Sequence, residues 1–161
     1  MERDYPWPEA QRPDRCPVSS FNELSIAAPA ERVWAWLVRA PRWPEFYRNA
    51  RRVEIEGGSD ELTAGATFRW TTFNLRVQTT VTEFEPARRL AWFGKAYGSS
   101  GYHSWTFEPR GDRCHVITEE TQRGLLPSVG RLYIRRALHR AHQAWLDGLA
   151  RMAIGGSPSA P

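Results

Sequence analysis

Three side chains in this sequence are of types that move protons and sit where folding would bring them together: His103, Glu120 and His142. A carboxylate or imidazole enclosed by apolar groups has a displaced pKa and can act as acid or base. His103, Trp105 and Phe107 alternate with smaller or polar residues, as a half-buried strand does. Gly111-Asp112 reads as a hairpin turn, and Cys114, Val116, Thr118 and Glu120 alternate after it. If Trp105 lies opposite Val116, His103 faces Thr118 and Phe107 faces Cys114, and the whole row shares one side of the sheet. His142 belongs to a helical stripe with Leu138, Ala141, Trp145, Leu149 and Met152. The expected chemistry is proton transfer by His103 and Glu120 near a cavity mouth, with His142 as a third member. The competing reading is a hydrogen-bonded core histidine, with Glu120 paired to an arginine at a sheet edge. Thr72, Thr79 and Thr118 are the other polar groups aimed inward, whereas Arg69 and Arg76 face water on these registers.

Other chemistries lack their motifs. There is no glycine-rich phosphate loop, no hydrolase elbow and no cluster with metal-ligand spacing. Cys16 and Cys114 form neither a redox pair nor a disulfide framework. No metal and no cofactor are therefore expected. The net charge of +4 comes from arginines scattered among Asp and Glu, with Lys95 the one lysine, so nucleic acid is not an expected partner. No stretch is long and apolar enough for an integral membrane span, and the N-terminus does not read as a secretory signal, so a cytoplasmic location is expected. The oligomeric expectation is a monomer or homodimer.

The elements that must hold these groups follow from changes in period. Residues 1–20 carry Pro6, Pro8, Pro13 and Pro17 and read as an extended or disordered arm, with Tyr5 and Trp7 able to tack it down. A short strand at Phe21–Ile26 precedes a helix from Ala28 to Val38, closed by Pro41, and a second short helix at Pro41–Tyr47. Six strands come next, with a small-residue stretch from Gly94 to Gly101 expected to be mobile. Gly124–Ser128 reads as a turn, Val129–Met152 as a long helix, and 154–161 as a flexible tail. Twelve per cent of the residues are aromatic, eight of them Trp, which suits the wall of a cavity better than the filling of a small core. Inward alternation assigns that wall to Phe68, Trp70, Thr72, Val77, Thr79, Val81, Leu90, Trp92, Trp105, Phe107 and Thr118, faced by Leu138 and Trp145 of the helix. A flat apolar ligand would stack on Trp70, Trp92 and Trp105.

Several motifs resemble a known superfamily. Ile26-x-Ala28-Pro29-Ala30-Glu31-x-Val33-Trp34 with Trp43-Pro44-Glu45-Phe46, Val81-Thr82-Glu83-Phe84-Glu85-Pro86, His103-x-Trp105-Thr106-Phe107-Glu108-Pro109 and Ala144-Trp145-Leu146-x-Gly148-Leu149 are similar to SRPBCC (START/helix-grip) proteins. The likeness runs over residues 21–153 and is nearest the polyketide cyclase/dehydrase-like branch. It implies an α+β helix-grip fold: a seven-stranded curved antiparallel sheet around a long C-terminal helix, with two short helices, enclosing a cavity for a hydrophobic small molecule. It further implies a cofactor-independent cyclase or dehydratase of bacterial secondary metabolism, or else a non-catalytic carrier or sensor of a lipid-like ligand.

Overall fold

The structure, a computed structural model, describes residues 7–158. The order is β1 (Val18–Ile26), α1 (Ala30–Val38), a 3-10 turn at Ala40–Glu45, then β2 (Arg51–Ile55), β3 (Thr67–Thr72), β4 (Leu75–Glu85), β5 (Arg89–Ala96), β6 (Ser99–Arg110) and β7 (Arg113–Arg123). Two helices follow, α2 (Leu125–Val129) and α3 (Arg131–Gly155). Among the described residues the strands form one seven-stranded antiparallel sheet in the order β1-β7-β6-β5-β4-β3-β2. β1 returns to the far edge because α1 and the 3-10 turn separate it from β2. The result is the helix-grip arrangement, with α3 held in the concave face. No helix among the described residues is long and apolar enough to cross a membrane.

Local sequence explains the elements that frame the cavity. Pro29 caps α1 and Glu31 sits in its first turn, at the positive end of the dipole. Val33, Trp36 and Leu37 are buried as one face. Gly111 adopts φ +67° as the first of two turn residues between Arg110 and Arg113, the conformation a two-residue hairpin loop requires. The β3–β4 turn is built differently. Phe73 and Asn74 both have positive φ, and the Asn49 side chain accepts from the Phe73 amide at 2.9 Å. A bulky residue in the left-handed region is costly, and here it sets a Phe ring at the end of the concave face.

Several expectations are corrected. Residues 18–20 are part of β1, and residues 9–15 form two 3-10 turns rather than an extended arm. That segment is ordered because it covers the convex face: Trp7 packs on Tyr102 with centroids 5.4 Å apart, and Thr121 donates to the Gln11 carbonyl at 2.9 Å. Tyr5 and the other residues of 1–6 lie outside the described residues, as do 159–161 of the expected tail, while Ile154 and Gly155 are still helical. Gly94–Gly101 is a tight hairpin in which Gly94 pairs with Gly101 and Tyr97-Gly98 forms the turn. Its glycines provide close approach: a Cβ on Gly94 would stand 3.0 Å from Val77, and one on Gly101 3.3 Å from Glu120 Oε1. Gly124–Ser128 carries α2 instead of a plain turn, and α3 starts at Arg131. The β6–β7 register is offset by two residues from the expected one. Trp105 lies opposite Thr118, and His103 directly opposite Glu120.

The rings meet more closely than the sequence suggests. Trp43, fully buried, touches Phe68, Trp70, Trp92 and Trp145, with centroids 4.9–5.6 Å apart. Trp105 packs edge-on against Trp145 at 5.1 Å. One half of the grip is thus a closed aromatic core, and the open space lies toward the β3–β4 and β5–β6 turns.

Candidate functional site

That space is a cavity of about 210 Å³. Its floor is formed by Trp92, His103, His142 and Trp145, all at most 3% exposed, with Glu120 beside them. Its mouth is formed by Phe73, Leu75, Leu126 and Tyr133. Trp70, Thr72, Val77, Thr79 and Leu138 line the walls as expected from the sequence. Phe68, Val81, Leu90, Trp105, Phe107 and Thr118 do not line it; they are buried in the core. Phe68 is held by Trp43, and Phe107 lies edge-on to Trp34 at 5.5 Å. Thr118 is occupied by a hydrogen bond to His103. Alternation identifies the inward face of a strand but not how deep the helix presses into it.

Other wall residues escaped the sequence reading. Tyr47 stacks on Trp145 at 4.2 Å, and Asn49 donates to its hydroxyl. Gly94 and Gly101 make room, and Gln122 flanks Glu120. Leu126, Tyr133 and Ile134 reach over the opening. Ile134 continues the stripe of the long helix one turn before Leu138, whereas Tyr133 lies beside it and Leu126 belongs to the short helix before it.

The structure brings the three proton-moving side chains together from three elements. The paired positions of β6 and β7 present His103 and Glu120, and α3 lowers His142 onto them. Glu120 Oε2 lies 3.3 Å from His103 Nδ1 and 3.0 Å from His142 Nε2, while Oε1 accepts from Gln122 Nε2 at 2.7 Å. The two imidazoles stack with centroids 4.5 Å apart. Burial drives the His103 pKa from the usual 6.5 to about 3, helped by His142 and opposed by Glu120, so the ring is neutral at ordinary pH. Burial pushes the Glu120 carboxyl up, but the hydrogen bond from His142, the two imidazoles and the Gln122 amide outweigh it and hold it below its ordinary value. With Glu120 ionised, the network assigns the donors: His103 Nδ1–H and His142 Nε2–H both point at the carboxylate, and the Thr118 hydroxyl, 2.7 Å away, donates to His103 Nε2. His142 Nδ1 and the Trp145 indole N–H are buried without a hydrogen-bond partner. The same three residues, with donor atoms within 4.8 Å of one another, are the group among the described residues that could hold a metal ion.

The network makes stability sensitive to acid. His103 takes up protons more readily in the unfolded chain, so stability is lost as pH falls from about 6.5 toward 3. Glu120 acts in the same direction, losing its stabilising ionisation as pH falls below its ordinary 4.5. Urea midpoints should fall steadily from pH 7 to pH 4, and more shallowly in His103→Gln. Parallel slopes for the two proteins would show that His103 does not carry the effect.

The chain matches, over residues 21–153, the family described as polyketide cyclase / dehydrase and lipid transport. A comparison with curated proteins finds no match. Among solved structures, the hypothetical protein jhp0584 from Helicobacter pylori is similar at 28% identity and a TM-score of 0.87, over 95% of this chain and 98% of that one. TTHA0849 from Thermus thermophilus is similar at 17% identity and a TM-score of 0.73, over 85% and 97%. The di-domain ARO/CYC StfQ of the steffimycin biosynthetic pathway is similar at 17% identity and a TM-score of 0.71, over 86% of this chain and 51% of its own. At 17% identity the last two likenesses are of fold.

Proposed function

Because the chain belongs to the polyketide cyclase / dehydrase and lipid transport family, we propose that it binds a small, mostly apolar molecule and catalyses a proton transfer on it, as a cofactor-independent cyclase or dehydratase does. The observation that carries this reading is the carboxylate of Glu120, held by two histidines at the floor of a mostly apolar cavity.

In this reading Glu120 accepts a proton from an enolisable carbon or a departing hydrogen of the ligand. The N–H groups of His103 and His142 hold the carboxylate in position and spread the change in charge. Trp92 and Trp145 fix the plane of the ligand, and orientation supplies much of the rate. The volume bounds the substrate. An apolar cavity of about 150 Å³ holds one benzene ring, so this one takes roughly a two-ring system, and a longer chain would extend through the mouth.

Calorimetric titration with α-tetralone, a two-ring enolisable ketone, tests the binding half. Saturable one-to-one binding is expected, weakened at least about ten-fold by Leu138→Trp, which fills the cavity from α3. Undiminished binding by that variant, or none by the native protein, would remove the cavity from the reading.

A further inference from the structure

We infer that the groove between α3 and the outer edge of β1 takes an acidic segment of a partner protein in extended form, which adds to the sheet as a further strand. The groove shares no lining residue with the cavity. It has a volume of about 540 Å³ and is lined by residues 19–21 of β1 and by Leu132, Arg135, Arg136, His139 and Arg140 of α3. A tether holds its two sides together: Asn22 Nδ2 donates to the His139 carbonyl and to Gln143 Oε1, both at 3.2 Å. The groove opens on the N-terminal side of that tether.

The helix side of the groove is uncompensated positive charge. Arg135, Arg136 and Arg140 are exposed, and none makes an ion pair among the described residues. Elsewhere the fold pairs its arginines: Arg39, Arg42, Arg69, Arg89 and Arg110 each meet a glutamate at 2.7–2.9 Å. Residues 124–146 contain no Asp or Glu, and the start of α3 adds the positive end of its dipole. The guanidinium groups therefore repel one another in the isolated chain, and carboxylates laid in the groove relieve that repulsion. Leu132, Arg136 and Arg140 stand at successive turns of the helix, about 6 Å apart. Alternate residues of a strand are about 6.8 Å apart, so acidic side chains at every second position of an added strand meet arginines at successive turns.

The strand side is an open edge. β1 is the outer strand of the sheet, and no strand among the described residues lies beyond it. Such an edge presents a row of backbone N–H and C=O groups, which proteins commonly blunt with proline, lysine or a bulge. β1 carries none of these. Val18–Ile26 contains no Pro, Lys or Arg, and it pairs with β7 through nine consecutive residues without a register shift. An extended peptide added to an open edge gains main-chain hydrogen bonds along its length. The two sides select the same occupant. Arginines alone suit any polyanion, but a strand edge serves only another peptide backbone, which favours an acidic polypeptide over a nucleic acid or a lipid headgroup.

Fluorescence anisotropy of the full chain with a labelled peptide of about ten residues, alternating glutamate and valine, tests this. The peptide is expected to bind at least about ten-fold more tightly than one with lysine in place of glutamate, and to weaken with salt. Arg136→Glu with Arg140→Glu should weaken it by about ten-fold or more. Arg151→Glu, exposed on α3 about 16 Å beyond Arg140, should leave it unchanged. Methylating alternate backbone nitrogens of the peptide, in one register or the other, gives two versions of equal charge. The version methylated on the amides that face β1 should lose about ten-fold or more, and the other little. Hydrogen exchange of β1 amides should slow when the parent peptide binds. Equal binding of the parent and both methylated versions, or no binding of the parent at low salt, would overturn the inference. So would tighter binding of a single-stranded oligonucleotide of the same length, with the β1 amides left unprotected.

Discussion

Trp43→Ala is expected to destabilise the protein by about 3–5 kcal/mol, the range for removing a large ring from a packed core. Trp43 is fully buried, meets four other rings, and donates its indole N–H to the Leu37 carbonyl at 2.8 Å. It joins the 3-10 turn after α1 to strands β3 and β5 and to α3, so no neighbouring side chain can collapse into its place. A domain of this size loses roughly 2–4 °C of Tm for each kcal/mol, which makes a fall of about 10 °C the expected reading. Trp43→Phe keeps most of the buried area but leaves the Leu37 carbonyl without its donor, and should cost about 1–3 kcal/mol. A change below about 1 kcal/mol in Trp43→Ala would mean that the aromatic half of the grip is not the close-packed core described above.

The second large effect concerns chemistry. Glu120→Gln should slow exchange of the α-protons of bound α-tetralone for deuterium by about 10²–10⁴-fold, the usual contribution of a positioned general base. The amide preserves shape and can still accept from one imidazole, so ketone binding should change little. Nuclear magnetic resonance follows the exchange, and calorimetry the binding. Exchange at the native rate would leave Glu120 a structural anchor and favour a carrier. Loss of binding together with exchange would show that the carboxylate holds the ligand instead of acting on it.

The grip itself was legible because its two periods are strong. Trp70, Trp92 and His103 repeat every second residue along their strands, and Leu138, His142 and Trp145 follow one helical face, so the sides on which they lie could be read directly. The pairing of His103 with Glu120 could not. A two-residue loop at Gly111-Asp112 pairs Arg110 with Arg113 and so His103 with Glu120, whereas the expected pairing of Trp105 with Val116 belongs to a loop one place earlier, which shifts every partner by two without changing the face. Depth was illegible for a different reason. Trp105 and Trp92 have the same pattern in sequence, yet only Trp92 borders the cavity, because the position of α3 depends on contacts such as Gly148 against Phe46. A Cβ on Gly148 would stand 2.2 Å from the Phe46 carbonyl oxygen. Most of the mouth was hidden because Phe73 lies in a turn and Leu126 in a one-turn helix, where neither period applies.

The contact between indoles has an optical consequence. Trp43 and Trp145 lie 4.9 Å apart between ring centroids, and each lies 5.4–6.2 Å from both Trp70 and Trp92, so light absorbed by one is passed among all of them before it is emitted. Trp92 and Trp145 form both part of this relay and the floor of the cavity. A bound molecule that absorbs in the near ultraviolet would therefore drain the excitation of the whole set, and the protein carries its own gauge of occupancy.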